Sequence, residues 1–496
     1  MKNLIKKSNN ENSFFSIIDV GSFSIRLVVY DSLSIASRTL FNEKVICNLG
    51  RKVNASGNID SDTINYVINV LDRFIGITKT INSQKPVIIA TAAIRMAKNK
   101  EKIVDAVFKK FNIKIQILSE KEEGEYAALG TIYSHKEVRG LVGDLGGGSL
   151  ELTQVKNDKV ITFLNSLPLG HSFLESMGEY YSSHIDKYIF KNLKKIDKVN
   201  YKNFYAVGGS FRVIAKLYMT LQNSDLKVIQ DYVIPASGIK EIIKSNLFKK
   251  GSINSKLLSK ITKSRRNSMP YALNILECLI EYFEIKDIYF SSSGIREGWI
   301  KNIISTNSKN TFLYQIERLA NNSMNKDLAI KLYKWISKSL DDFKFNEDLL
   351  KSACWISNIA WDVHPEHRRM YAMERVLWYP FYRISREERI ELALTMYFRH
   401  SNAIKNELAE KYLSQIDENT KIRCRFIGQC LRLAHHITGG ISSKNLDSCY
   451  LRLKKDYLRL HVIGENSIFY GEAIPRGLKN AANAIGIYKT EIKFNN

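Results

Sequence analysis

The sequence predicts an α/β protein in which two related lobes are followed by a mostly α-helical region. Short apolar strands alternate with helical patterns over roughly residues 14–305, which is typical of the α/β class. Two of these strands run directly into an Asp that is followed by glycine and serine. From about residue 310 the apolar periodicity is helical with few interruptions.

The first lobe is predicted at residues 14–126 and begins with a strand, a turn and a second strand. Apolar strands at 16–18 and 25–30 enclose Asp19-Val20-Gly21-Ser22-Phe23-Ser24, and a helical pattern follows at 60–81. Glycine permits positive φ and close approach to a ligand, and successive N–H groups in such a turn bind anions. The turn is therefore a candidate phosphate-binding hairpin.

The second lobe, predicted at residues 127–305, repeats this design. A strand at 140–142 leads into residues 143–152, Gly-Asp-Leu-Gly-Gly-Gly-Ser-Leu-Glu-Leu. Two such hairpins, one at the start of each lobe, are how actin-like, ribonuclease H-like phosphotransfer domains of the sugar kinase, heat-shock chaperone and actin superfamily hold a phosphoryl group. Helical patterns at 211–221, 238–248 and 271–283 complete the lobe.

The polar segment at 305–310 marks the next boundary. A helical domain is predicted at 310–440, and a small α/β segment at 441–496 with strands at 448–454 and 457–462. The helical patterns of the domain lie at 311–321, 326–340, 347–359, 387–398, 404–413 and 422–437.

The net charge of +24 favours a polyanionic ligand, although a lysine-rich solvated surface remains an alternative explanation. Basic residues are dense at 249–266 and 368–389. The aromatic residues near the second run follow a helical pattern that favours core packing, so nucleic acid is not favoured as a partner. No apolar run reaches the length of a membrane-spanning helix, and six cysteines without Cys-x-x-Cys spacing predict reduced thiols in a cytoplasmic protein.

The two hairpins and five further segments resemble those of the exopolyphosphatase and guanosine pentaphosphate phosphohydrolase (Ppx/GppA) family, in its long bacterial form. The seven segments occur in the family's order over roughly three hundred residues, which makes the match specific. The five further segments are Ala90-Thr91-Ala92-Ala93-Ile94-Arg95, residues 117–123 ending in Glu122-Glu123, Leu167-Pro168-Leu169-Gly170, Ala206-Val207-Gly208-Gly209-Ser210 and Ser293-Gly294-Ile295-Arg296-Glu297-Gly298.

The resemblance implies Glu123 as the catalytic base and Arg95 as a side-chain clamp on phosphate oxygens. Adjacent helical residues point about 100° apart, so Glu122 and Glu123 cannot both face the cleft, and only the register of the family favours Glu123. Magnesium is expected on Asp144 and Glu151, with Asp19 holding either a water or the same ion. The expected phosphate-binding residues are Ser22, Ser24, Gly146, Gly147, Gly148 and Ser149. Gly208, Gly209 and Ser210 are expected to face the next phosphates of the chain, or a nucleotide where one binds.

Two departures from the family pattern affect these expectations. Phe23 stands where the family usually has asparagine, which removes an amide that could contact phosphate. The helical region resembles a metal-dependent His-Asp phosphohydrolase (HD) domain, but Trp355-Ile356-Ser357-Asn358 replaces the His-Asp pair, so no metal is expected there. The region is instead expected to bind distal polyphosphate and to form a homodimer, and His364, His367, His435 and His436 are interpreted as structural or surface residues.

The favoured function is a magnesium-dependent exopolyphosphatase. Guanosine pentaphosphate is the alternative substrate, and no motif separates the two. Phe23 also leaves open a polyphosphate or nucleotide sensor with an impaired site. An actin-like ATPase or sugar kinase is a further alternative, against which the pair Glu122 and Glu123 argues.

Overall fold

The computed structural model describes residues 13–180, 182–245, 263–304, 310–339, 345–464 and 467–495. It divides into two compact units, Met1–Lys309 and Asn310–Asn496. Most of the basic run at 249–266 lies outside the described residues.

A five-stranded mixed sheet forms the first lobe. Its strand order is β3-β2-β1-β4-β5, with β1 antiparallel to β2 and parallel to β4. The central strand β1 is almost entirely buried and mostly apolar, whereas the edge strand β3 is largely exposed. The elements are β1 (Phe15–Val20), β2 (Ser24–Tyr30), β3 (Thr39–Ile46), α1 (Leu49–Ser56), α2 (Ser61–Thr80), β4 (Val87–Ala90), α3 (Ala92–Met96), α4 (Lys100–Phe111) and β5 (Ile115–Ile117).

The second lobe is built on a six-stranded sheet of order β10-β11-β9-β6-β7-β8. Its elements are α5 (Glu120–Ser134), β6 (Gly140–Leu145), β7 (Leu150–Lys156), β8 (Lys159–Leu167), α6 (His171–Met177), α7 (Ser183–Leu193), β9 (Asn203–Val207), α8 (Gly209–Leu221), β10 (Tyr232–Pro235), α9 (Ala236–Lys244), α10 (Lys263–Phe283), β11 (Asp287–Phe290) and α11 (Ile295–Ile304).

The two sheets share one topology. Strands β6, β7, β8, β9 and β11 pair in the same order and directions as β1, β2, β3, β4 and β5, and β10 adds an antiparallel edge strand. This repeat shows that the first unit contains two lobes of the same topology, as the sequence predicts.

Two glycines bring α5, the helix that carries Glu122 and Glu123, close to α11. A Cβ atom at Gly298 would lie 1.7 Å from the carbonyl oxygen of Tyr126, and one at Gly130 would lie 2.3 Å from that of Gly294. No side chain fits at such distances, so glycine is required for the two helix backbones to meet. The contact fixes the position of α5 beside both hairpins.

The second unit is a helical bundle followed by a small sheet, as predicted. The order of the sheet is β12-β13-β14, with β13 antiparallel to β12 and parallel to β14. The elements are α12 (Thr311–Ala320), α13 (Lys326–Ser337), α14 (Glu347–Ile356), α15 (Arg368–Leu377), α16 (Arg386–His400), α17 (Glu407–Leu413), α18 (Glu418–Thr438), β12 (Cys449–Leu453), β13 (Tyr457–Ile463), α19 (Ala473–Asn483) and β14 (Lys489–Asn495).

Two expectations from composition can be compared with the structure. All six cysteines are buried free thiols. Within the described ranges, no helix combines the length and the apolar character needed to cross a bilayer.

Candidate active site

A cavity of about 890 Å³ in the first unit contains both glycine hairpins. Its wall includes the hairpin residues predicted to bind phosphate, Ser22, Ser24, Gly146, Gly147, Gly148 and Ser149, and also Gly208 and Gly209. Residues more than one hundred positions apart in the sequence therefore meet around one space, as the paired-hairpin interpretation requires.

The two hairpins have the same backbone geometry. The N–H of Gly21 donates to the carbonyl oxygen of Ser24, and the N–H of Gly146 donates to that of Ser149, each at 3.0 Å. When the two hairpins are aligned on these hydrogen bonds, Phe23 corresponds to Gly148, and both residues lie on the cavity wall. Phe23 leaves the hairpin intact but adds a ring to the wall, where Lys44 Nζ lies 4.8 Å from its centroid.

Gly170 explains the motif at residues 167–170. A Cβ atom at this position would lie 2.2 Å from the carbonyl carbon of Gly148 and 2.3 Å from the carbonyl oxygen of Gly147. The backbone of the second hairpin therefore rests directly on Gly170. The next residues hold it there, since the N–H of Ser172 donates to the carbonyl oxygen of Gly147 at 3.0 Å.

The structure distinguishes Glu123 from Glu122. Glu122 closes a capping box at the start of α5, where its carboxylate accepts from the N–H of Ser119 at 2.8 Å. Glu123 is 6% exposed, lies on the cavity wall and accepts from Arg95 Nη1 at 2.7 Å. Burial raises the pKa of Glu123, and the neighbouring Arg95 opposes this effect.

Arg95 occupies a different place from the one expected of a phosphate clamp. It lies on α3, immediately after β4, and is absent from the described wall of the cavity. Its Nη1 donates both to Glu123 and to the carbonyl oxygen of Leu118. The reason is electrostatic, because a buried carboxylate needs a compensating charge and Arg95 supplies it.

Three further carboxylates surround Glu123. Asp19 and Asp144 lie on the wall, whereas Glu151 is 1% exposed beneath it and accepts from Ser166 Oγ at 3.0 Å. Burial raises the pKa of Asp144 to about 7, and Glu123 and Asp19 act in the same direction. Burial, together with Glu123 and Asp144, also holds the pKa of Glu151 well above its usual range.

This arrangement fits a divalent cation. Glu151 Oε2 is buried without a hydrogen-bond partner among the described residues, and the carboxylates repel one another. Among the described residues, no three His, Cys, Asp or Glu side chains form a group that could by itself hold a metal ion. Magnesium needs only one or two protein carboxylates and takes water and phosphate oxygens for the rest, so the residues present are sufficient.

Ser210 corrects one sequence prediction. Its side chain is 1% exposed, lies outside the described cavity wall and donates to Ser268 Oγ at 3.2 Å. Gly208 caps α8, Gly209 begins it, and both line the cavity, but the helix turns by about 100° per residue and carries Ser210 into the core. The expected phosphate contact from this hydroxyl is therefore wrong.

Sequence reasoning missed the cations of the cavity. Arg296 Nη1 lies 3.5 Å from Asp19 Oδ2, and Arg26 is the cross-strand partner of Asp19. Burial lowers the pKa of Arg26 to about 10, with Arg296 and Arg212 adding repulsion. Side chains along β2 alternate between its two faces with a period of two residues, which could have indicated Arg26. Arg296 is part of the family segment at 293–298. The other basic residues on the wall are Lys44, Arg212, Lys216 and Lys227.

Glycine hairpins from two lobes of the same topology meet at one cavity with a buried glutamate beside them, an arrangement that suits phosphoryl transfer. The profile of the Ppx/GppA phosphatase family matches residues 28–307, and that of the exopolyphosphatase C-terminal region matches residues 323–491. The first match covers more than half of the chain. This chain therefore belongs to the Ppx/GppA phosphatase family.

Individual relatives are distant. A guanosine-5'-triphosphate,3'-diphosphate pyrophosphatase of Pseudoalteromonas atlantica is 22% identical over 385 residues, which are 72% of this chain and 75% of that protein. Exopolyphosphatase 1 of Mycobacterium tuberculosis is 29% identical over 157 residues, which are 31% of this chain and 45% of that protein. The alignment thus spans less than half the length of the mycobacterial enzyme.

Solved structures support the fold of the first unit. The crystal structure of the Aquifex aeolicus Ppx/GppA family member has a TM-score of 0.52 at 25% identity, covering 60% of this chain and 99% of that one. An exopolyphosphatase from Cytophaga hutchinsonii has a TM-score of 0.53 at 19% identity, with 60% and 99% coverage. At that identity the second comparison bears on the fold alone.

Proposed function

We propose that this protein is an exopolyphosphatase, which hydrolyses the terminal phosphoanhydride of inorganic polyphosphate and releases orthophosphate. The observation that carries the proposal is a single cavity that combines two glycine hairpins, the buried carboxylate Glu123 and several cations. Membership of a phosphatase family supports the reaction class. Similarity to a relative named exopolyphosphatase 1 supports the substrate.

The chemistry follows from the placement of Glu123 between the hairpins. The carboxylate accepts a proton from a water molecule, whose oxygen forms a bond to the terminal phosphorus. The bond from that phosphorus to the bridging oxygen breaks, and the electron pair leaves with the shortened chain. Backbone N–H groups of the hairpin at residues 146–149 donate to the phosphoryl oxygens, where negative charge spreads in the transition state.

Magnesium is the cation proposed for the carboxylate cluster. When bound, it would neutralise the charge that develops on the phosphoryl group. Asp144 is its best-placed ligand, with Asp19 on the same wall and Glu151 opposite Asp144 on the paired strand β7. The raised pKa of Asp144 and the unpartnered Oε2 of Glu151 are what support this assignment.

The rest of the cavity favours a long anion. Arg212, Lys216 and Thr220 are spaced four residues apart along α8, so they share one face of this helix, and all three line the cavity. Lys227 and Lys44 extend the positive wall. Such a row suits successive phosphates of a chain.

Guanosine pentaphosphate remains the second candidate, and a specific feature favours it. Val213, Leu217, Met219 and Ile229 form an apolar part of the same wall, which could cover a base. The relative from Pseudoalteromonas atlantica aligns with 72% of this chain, and its name includes a guanosine nucleotide.

The test is magnesium-dependent phosphate release from long-chain polyphosphate and from guanosine pentaphosphate. Glu123→Gln should lower the rate by about 10²- to 10⁴-fold, the usual contribution of a general base. Glu122→Gln is the matched control, because it removes the same charge one residue away and disturbs only the helix cap. Tight polyphosphate binding without release from either substrate would instead indicate a sensor.

The ratio of kcat/KM for the two substrates decides between the candidates. The homodimer, the cytoplasmic location and the binding of distal polyphosphate by the helical region stay predictions of the sequence.

A further inference from the structure

A buried glutamate, Glu297, lies behind the wall of the active-site cavity. It belongs to the first turn of α11, is 8% exposed and is not among the residues of the described wall. Its neighbour Arg296 is one of the wall residues. A buried carboxylate is costly unless hydrogen bonds and an opposite charge compensate it, so the partners of Glu297 indicate its role.

The two carboxylate oxygens of Glu297 have different partners. Oε2 accepts from the N–H of Gly294, the residue before α11, at 2.8 Å. Oε1 accepts from the hydroxyl of Tyr30 at 3.0 Å and lies 3.9 Å from Arg296 Nε. A glutamate in the third position of a helix commonly bonds back to the residue before it, so helix capping explains Oε2. It does not explain Oε1, which faces a tyrosine of the other lobe and an arginine.

Tyr30 reaches Glu297 from the first lobe. It lies on β2, is 3% exposed and belongs to an apolar cluster in which the rings of Phe15 and Trp299 stack at 5.7 Å. Such a cluster does not need an ionic group at its edge, because apolar side chains of the same volume pack at least as well. The polar pair of Tyr30 and Glu297 therefore indicates a role other than packing.

Arg296 extends from this pair to the first hairpin. Its Nη1 lies 3.5 Å from Asp19 Oδ2. Its Nε is buried and, among the described residues, has no hydrogen-bond partner, so Glu297 acts on it through charge. Burial lowers the pKa of Arg296, but Glu297, Tyr30 and Asp19 together raise it above its usual value. Arg296 therefore stays charged although it is buried.

The docking of α11 does not require this polar pair. The backbone contact at Gly298 already fixes the helix against α5, since a Cβ atom there would lie 1.7 Å from the carbonyl oxygen of Tyr126. What Tyr30 and Glu297 add is the direction of one side chain, that of Arg296.

We propose that Tyr30 and Glu297 are positioning residues for Arg296, whose guanidinium they hold beside the terminal phosphoryl group of polyphosphate. The inference rests on the proposed exopolyphosphatase reaction. Arg296 shares the cavity wall with both hairpins and contacts Asp19 at the edge of the first. Negative charge that develops on the phosphoryl oxygens then meets a guanidinium whose direction is fixed before the reaction begins.

The test begins with Tyr30→Phe and magnesium-dependent phosphate release from long-chain polyphosphate. The variant should lower kcat by about tenfold, the effect of losing a hydrogen bond to a charged group. KM should change by less than about threefold, because Arg296 keeps its charge and loses only the placement that matters in the transition state. Glu297→Gln retains the helix cap but removes the charge that faces Arg296, so kcat should fall at least as far.

Tyr271→Phe is the matched control. Tyr271 is 6% exposed in the second lobe, and its hydroxyl donates to the carbonyl oxygen of Gly178 at 2.7 Å. The substitution therefore removes one hydroxyl and one hydrogen bond from a buried tyrosine outside the cavity wall. Tm should fall by a similar amount in Tyr30→Phe and Tyr271→Phe, whereas kcat should fall only in Tyr30→Phe.

A double-mutant cycle separates positioning from folding. Arg296→Lys keeps the buried charge, but an ammonium group lacks the planar fork that faces Glu297 and Asp19 together. In the Arg296→Lys background, Tyr30→Phe should lower kcat by less than about twofold, because the group that Tyr30 positions is already gone. Two independent structural effects would multiply instead, and that result would overturn the inference.

The outcomes distinguish this inference from the proposed function. A wild type that releases no phosphate from polyphosphate contradicts the proposed function, and the inference falls with it. An active wild type whose kcat is unchanged by Tyr30→Phe contradicts the positioning role alone and leaves the proposed reaction standing.

Discussion

Arg95 Nη1 lies 2.7 Å from Glu123 Oε2, and the same nitrogen donates to the carbonyl oxygen of Leu118 at 2.8 Å. The pair joins the end of the first sheet to the helix that begins the second lobe. Arg95 is therefore a positioning residue, because it fixes the carboxylate proposed as the base and stabilises its charged form.

Arg95→Gln should displace the pH dependence of phosphate release. Burial raises the pKa of Glu123 and Arg95 lowers it, so removal of Arg95 leaves the raising effect unopposed. A base works when deprotonated, so the rising limb of kcat against pH should move to higher pH. At pH 7 the rate should fall by about tenfold or more, the size of a charged hydrogen bond.

The exposed pair of Arg73 and Glu43, at 2.9 Å, provides the control. Arg73→Gln also removes an arginine that pairs with a glutamate in the same lobe, but this pair is far less buried than that of Arg95 and Glu123. The substitution should therefore leave the pH profile unchanged. An Arg95→Gln profile that overlaps with the wild type would exclude the positioning role.

Phe23→Asn should increase activity moderately. The ring lies on the cavity wall under Lys44, and the hairpin bond from Gly21 to Ser24 does not depend on it. An amide at this position can donate to a phosphate oxygen, a contact worth about 0.5–1.5 kcal/mol. We expect kcat/KM for polyphosphate to rise roughly two- to tenfold. A wild type without activity that Phe23→Asn restores would instead support the impaired sensor.

Sequence patterns predicted the parts of the site that depend on local structure. Each hairpin is one strand, one turn and one strand, so Asp19 and Asp144 were found from short motifs. The environment of Arg95 could not be predicted from a short motif, because its partner Glu123 is 28 residues away and the pairing exists only after folding. The prediction for Ser210 failed for a related reason, since a single step along α8 turns the side chain by about 100° and carries it away from the cavity.

The cations were missed because they come from separate elements. Lys44 lies on β3, Arg212 and Lys216 on α8, and Arg296 on α11, and no spacing in the sequence connects the three elements. Charge alone indicated a polyanion, but it could not indicate which of the basic residues would meet.

Asp144→Asn should stabilise the metal-free protein at high pH. Burial raises the pKa of Asp144 from 3.8 to about 7. The stability that the protonated side chain contributes is therefore fully present below pH 3.8 and is lost as the pH rises through about 7. The wild type therefore loses free energy of unfolding over this range, and the neutral variant does not. The difference should reach up to about 4 kcal/mol at pH 8.

Urea unfolding at several pH values with a chelator measures this difference. Asp72→Asn, at an exposed ion pair with Lys110, is the control and should show no comparable pH-dependent gain. Added magnesium should restore the stability of the wild type and leave Asp144→Asn unchanged. A variant less stable than the wild type at pH 8 without metal would contradict the assignment of strain to Asp144.

Gly170→Ala should reduce activity without unfolding the protein. The added Cβ would lie 2.2 Å from the carbonyl carbon of Gly148, so the second hairpin must move by roughly 1 Å to restore a normal contact. A shift of this size in groups that bind the transition state costs about 10²-fold in rate.

Gly76→Ala is the matched control, because its Cβ meets nothing within 4 Å and α2 gains helix propensity. Circular dichroism should show both variants folded, and phosphate release should fall only in Gly170→Ala. Equal rates for the two variants would mean that the hairpin tolerates the displacement and that its N–H groups are not the donors to the terminal phosphate.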